Sequence, residues 1–249
     1  AAGEEVRPLD ISITKNVLGL FINSAVLLVI MMSCVRWYKK HPLEDGAPKG
    51  GVGMIEATVL SIYNDVIKGC IGENYRRYAP YLLRSFFFVL VNNLMGLIPI
   101  FPGGANVTGN IAITLVLALC TFVLTNVYGT KAYWKEIFWP DVPTWLKAPI
   151  PMMPLIEFFG IFTKPFALMI RLFANIMAGH AAVLSLVAII FITVKSGPGI
   201  NGSMTVVSVA FSIFMDALEI LVAFIQAYVF TMLSAVFIGL SQVKEHAEK

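Results

Sequence analysis

Long apolar runs, separated by short polar or proline-bearing stretches, organise this chain from residue 17 to residue 240. A helix needs about 20 mostly apolar residues to cross a hydrocarbon core. Residues 17–35 meet that length and run into Arg36-Trp37-Tyr38-Lys39-Lys40, the mixture of aromatic and basic side chains that anchors a span at the cytoplasmic interface. Residues 54–79 read differently: Ile55, Val59, Ile62, Val66, Ile67 and Cys70 recur at helical spacing against Glu56, Asn64, Asp65, Lys68 and Glu73. That pattern predicts an amphipathic helix lying on the membrane or on neighbouring helices. Residues 81–128 predict a helical hairpin of two spans, 81–101 and 110–128, around Pro102-Gly103-Gly104. Arg84 lies near enough the start of the first for its guanidinium to snorkel to the surface. Asn92 and Asn93 fall at mid-depth, where an amide bonds a neighbouring helix.

The last two runs are overlong. Residues 152–194 form one helical pattern about 65 Å long at 1.5 Å per residue, roughly twice a bilayer core. Residues 204–240 repeat the mismatch after a glycine-rich turn over 195–203. No turn signal interrupts either run near its middle, so a slanted hairpin fits better than four spans.

Composition settles the class. With 249 residues, 58% hydrophobic and 13% charged, and a mean hydropathy of +0.80, the chain is too apolar for a soluble domain of its size. The fold class expected is an all-α polytopic membrane protein in one domain over 1–249, with about five membrane helices and one amphipathic surface helix. The net charge of +3 is small and the cations form no runs with interleaved aromatics, which argues against nucleic acid. Cys34, Cys70 and Cys120 read as small packing residues, and no metal-ligand spacing, phosphate loop or nucleophile motif appears. Counting basic residues puts segment 1–16 outside and tail 241–249 in the cytoplasm. The first residues, Ala1-Ala2-Gly3, fit an end left by removal of a leader.

The chemistry concentrates on the two long helices. Arg171 is a permanent cation within an apolar run, at a cost of about 3 kcal/mol on insertion scales, and such residues mark functional sites. At about 100° per residue Glu157, Lys164 and Asn175 fall within roughly 40° of Arg171 on one helix face, with His180 on the other side. On the second helix Ser212, Glu219 and Gln226 repeat every seven residues as one polar stripe, with Asp216 a turn before the glutamate. A buried carboxylate needs a partner or a route to water. His180 suits Glu219, since imidazole titrates near neutrality and passes protons to and from a carboxylate.

The chain from about residue 54 onward resembles subunit a of the F-type ATP synthase. The residues that carry the resemblance are Arg171-Leu172-Phe173-Ala174-Asn175, Ala178-Gly179-His180, Ile225-Gln226-Ala227-Tyr228-Val229-Phe230 with Glu219, Asn93-Leu94-Met95-Gly96-Leu97-Ile98-Pro99, and Asn106-Val107-Thr108. Gly96 departs from the acidic residue carried by other members. The resemblance implies a membrane subunit that is no enzyme by itself, needs no cofactor or metal, and conducts protons through two offset half-channels to a rotating c-ring of proteolipid subunits. It implies that Arg171 separates the half-channels and meets the ring carboxylate, with Gln226 orienting it and Asn175 beside it. Glu219, His180, Asp216 and Ser212 would line one half-channel, Glu157 would wall the exit side, and Lys164 would support. Implied partners are the c-ring, peripheral-stalk subunit b, other synthase subunits and lipid, in a bacterial inner membrane, or alternatively a mitochondrial inner or thylakoid membrane. A sodium-coupled version of the subunit is the alternative. A secondary transporter would show internally repeated halves, and none is visible.

Overall fold

The computed structural model describes residues 15–41, 48, 50–98, 107–138 and 152–242, and among them regular structure is entirely helical. Helix α1 spans Lys15–Lys40, and Lys39 and Lys40 in its last turn complement the carbonyl end of the helix. Helix α2, Gly51–Ser61, continues through a seven-residue π-helical stretch, Ile62–Lys68, and a further turn, Gly69–Ile71. The wider π turn brings Ile62, Val66 and Ile67 inward together, all of them buried. Gly72, at φ 73°, then turns the chain into α3, Tyr75–Leu97. The boundary therefore falls at a glycine with positive φ, eight residues before Pro80, between the 54–79 and 81–101 segments expected from the sequence pattern. Pro80 is accommodated early in α3.

Helix α4 spans Ile111–Val127, capped by Asn110, whose side chain accepts from the Ala112 N–H at 3.0 Å. A short helix, α5, Lys131–Phe138, follows. Helix α6 is 42 residues, Met152–Thr193, and runs through Pro165 without breaking. Helix α7 is 44 residues, Pro198–Ser241. The turn between them is shorter than the 195–203 expected from composition. Gly197, at φ 103°, supplies a conformation that side-chain-bearing residues rarely adopt, and Pro198 starts α7 at once because its ring is already at a helical φ. Thr193 Oγ1 donates to Asn201 Oδ1 at 3.0 Å and ties the two helices at the turn.

The main core joins Ile62, Val66, Leu82, Phe86 and Val89 to Leu168 and Leu172 of α6 and to Ala227, Phe230, Ala235 and Ile238 of α7. Polar groups sit inside this bundle while large apolar side chains cover its outside. Asn23 Nδ2 donates to Asn92 Oδ1 at 2.9 Å between α1 and α3, and Asn93 Nδ2 to the Ala223 carbonyl at 3.3 Å between α3 and α7. Tyr81 Oη and Thr121 Oγ1 bond at 2.9 Å between α3 and α4. That inside-out distribution is what a bilayer demands, since lipid satisfies no hydrogen bonds. The far half of the α6–α7 hairpin leaves the bundle, with Phe191 73% and Val206 71% exposed.

One end of the bundle is fixed by bonds among polar groups. The Thr130 N–H donates to the Ser241 carbonyl at 2.9 Å, and Gln242 Nε2 donates to the Tyr128 carbonyl at 2.6 Å. Nearby, a Cβ on Gly239 would collide with the Cys70 carbonyl, so α7 can approach the end of the π-helical segment only with glycine at that position.

Candidate functional site

Two antiparallel helices of this length bring residues together in a steady register: Thr193 meets Asn201, His180 meets Glu219, and Lys164 shares a cavity with Phe237. The central cavity, about 30 Å³, is lined by Asn175 and His180 of α6, Glu219 and Ala223 of α7, and Asn93 and Leu97 of α3. That volume accommodates a water molecule. The Glu219 carboxylate occupies the space a Cβ on Gly179 would fill, so the glycine one residue before His180 makes room for the acid. Glu219 Oε1 and Asn93 Oδ1 are both buried without a hydrogen-bond partner. Two orphan acceptors on residues that line one small cavity call for a donor between them. His180 lines the same cavity, within electrostatic reach of the carboxylate.

A second cavity, about 20 Å³, lies where α4, α5 and α7 meet the first third of α6, with Thr121, Thr125, Asn126, Tyr133 and Lys164 among its walls. Lys164 Nζ stands 3.7 Å from Glu157 Oε1, a partly exposed ion pair. Burial pushes the Tyr133 phenol above its ordinary pKa, and the Glu157 carboxylate adds to the effect.

The polar stripe expected on α6 is thus divided. Lys164 lines the second cavity with Glu157 paired to it, Asn175 lines the first, and Arg171 lies between them in sequence on an exposed flank. Ala167, Ala174 and Ala178 are exposed beside it. Of the α7 stripe, Gln226 is 6% exposed, Ser212 is half-buried and Asp216 is exposed. Sequence reasoning put Asn93 at mid-depth without assigning it to the site, and gave Gly179 no separate role. The signal for the first was its amide at mid-membrane; for the second, a glycine inside a helix next to a histidine. Among the described residues no three His, Cys, Asp or Glu side chains gather as a metal site.

The family model described as ATP synthase A chain matches residues 18–239. The chain belongs to the ATP synthase A chain family. Relatives in that family include the ATP synthase subunit a of Chlorobium phaeobacteroides (strain DSM 266 / SMG 266 / 2430), 48% identical over 99% of this chain and 72% of the relative. That of Chloroherpeton thalassium is 44% identical over 97% of this chain and 70% of its own length, and that of Myxococcus xanthus is 39% identical over 98% and 79%. Family membership and the apolar helices together make this a multi-pass membrane protein.

Proposed function

We propose that this chain is the stator half of the proton path in a rotary ATP synthase, delivering protons to and collecting them from a ring of small membrane subunits. The observation that supports it most is the order along α6: a cavity walled in part by Lys164, then Arg171 on an open flank, then a cavity walled in part by Asn175 and His180. Two cavities separated by a permanent cation suit two half-channels with a barrier between them. A guanidinium keeps its charge at any physiological pH, so it repels a proton passing directly from one cavity to the other. It also favours the ionised form of a carboxylate brought beside it, which promotes proton release from the ring.

Each remaining residue has a role in this reading. Glu219 and His180 exchange protons with water in the central cavity, and Ser212 and Asp216 extend that path along α7. Gln226, at the level of Arg171 in the hairpin register, orients the guanidinium, and Asn175 gives it a neutral hydrogen-bonding neighbour. Glu157 and Lys164 wall the second half-channel. The small side chains of Ala167, Ala174 and Ala178 let a ring helix come close to Arg171. The ring, peripheral-stalk subunit b and the remaining synthase subunits are the partners, the membrane is a bacterial inner membrane, and the N-terminus lies outside.

The test is proton movement in membrane vesicles carrying the whole complex. Arg171→Ala abolishes ATP-driven pumping while the complex assembles, and after removal of the catalytic head it keeps or raises passive proton conductance. Glu219→Gln lowers that conductance without eliminating it, because water and neighbouring polar groups substitute. Normal pumping with Arg171→Ala removes the reading.

A further inference from the structure

One charge on the outer surface has no place in the proton path. Arg84 is exposed on α3, opposite the buried Leu82, Phe86 and Val89, and nine residues into a helix that crosses the membrane. At 1.5 Å per residue its Cα is about 13.5 Å from Tyr75. A guanidinium facing hydrocarbon at that depth is costly unless it reaches the headgroups or meets an anion. Arg77 lies two turns nearer the helix start on almost the same stripe, about 20° round, and is also exposed. Its guanidinium carbon stands 4.6 Å over the ring of Tyr128, the residue that ends α4, and Tyr128 is itself held through its carbonyl by Gln242. The stacking fixes Arg77 and leaves its N–H edges open. A helical Cα–Cβ bond tilts toward the helix start, so both side chains point to the same end from Cα atoms about 10.5 Å apart, and the long Arg84 side chain can extend toward the Arg77 level. Neither arginine pairs with a carboxylate among the described residues.

We propose that Arg77 and Arg84, closed at one side by Tyr128, form a site for the phosphate of an anionic phospholipid. Two guanidinium forks one above the other match a phosphate that each can bind through two N–H groups. The site lies at the bundle end that carries Arg76, Arg77, Lys131 and the end of α7, where the local field already attracts anions. Lipid supplies the phosphate at the depth of Arg84, and a free phosphate ion in water does not reach it without losing its hydration. The inference rests on membrane embedding and is independent of the proton path.

The test uses the intact ATP synthase extracted in mild detergent, with bound lipid counted by native mass spectrometry. Wild type retains an anionic phospholipid that both Arg84→Gln and Arg77→Gln release, while Arg84→Lys keeps it more weakly and ATP-driven pumping is unchanged in all three. A lipid count unaffected by either Gln variant overturns the proposal. So does Arg84-dependent binding of radiolabelled inorganic phosphate by complex stripped of lipid to the same extent as before stripping. A photo-cross-linker at position 84 that couples to another polypeptide instead of to lipid assigns the arginine to a protein carboxylate and overturns it as well.

Discussion

At the scale of single residues, Gly179 and Glu219 define each other. A methyl group at position 179 has to displace the carboxylate that occupies its space. Overpacking of this kind costs about 1–3 kcal/mol, against a gain of about 1 kcal/mol in helix propensity from glycine to alanine, so the displacement dominates. Gly179→Ala is expected to lower passive proton conductance about tenfold with the complex still assembled, because moving Glu219 away from His180 breaks the proton-exchanging pair. Conductance equal to wild type, measured in stripped vesicles, would show that the acid works equally well elsewhere. Arg171, Glu219 and His180 were legible in the sequence because an ionisable group in an apolar run is expensive wherever the helix sits. Asn93 and Gly179 were not, since a neutral amide costs less than a charge once any neighbouring helix bonds it, a glycine costs nothing of the kind, and the role of each depends on what the facing helix brings to it.

At the scale of elements, the lengths of the long helices were legible and the turn between them was not. Glycine enrichment over 195–203 marks a region, but the turn itself needs only one residue at positive φ, and Gly197 supplies it. Gly197→Ala is expected to cost about 1–3 kcal/mol in backbone strain and to lower the melting temperature of the complex without changing its composition. An unchanged melting temperature would mean that the turn relaxes into another conformation. The attachment of α1 has a different basis. It rests on the buried Asn23–Asn92 bond and on Leu27 and Met31, which pack against the main core. Interhelical hydrogen bonds in membranes average about 0.6 kcal/mol, so Asn23→Ala should loosen α1 by a small amount only. A spin label at Cys34 reads this as a modest gain in mobility; complete detachment of α1 would show that the bond counts for more than the packing. The π-helical stretch was not legible, because Ile62, Val66 and Ile67 fit ordinary helical spacing equally well and the wider turn appears only when α3 and α7 press on them.

At the scale of the whole molecule, charge is distributed by end. Arg76, Arg77, Lys68 and Lys131 stand at the end where α3 begins and α7 finishes, whereas Lys195 stands at the α6–α7 turn. With the proposed orientation, a cysteine introduced at Lys131 reacts with an impermeant thiol reagent only in inside-out vesicles, and one at Lys195 only in right-side-out vesicles, both in a background lacking the native cysteines. The opposite pattern would invert the molecule and with it the assignment of entry and exit. The far half of the hairpin, apolar and exposed, presents the surface that a bilayer accepts.

The length of α6 sets a gearing. A helix about 63 Å long is twice the thickness of a hydrocarbon layer of about 30 Å, a mismatch that strong tilt accommodates. His180 lies nine residues beyond Arg171, about 14 Å along the axis, and the more the helix tilts the more of that step lies along the plane of the membrane. On the proposed function, an ion that enters near His180 and meets Arg171 would be carried along the plane of the membrane as well as through it. A rotor surface moving past such a helix would then meet the two positions one after the other, so the slope of one helix would convert a vertical gradient into lateral travel.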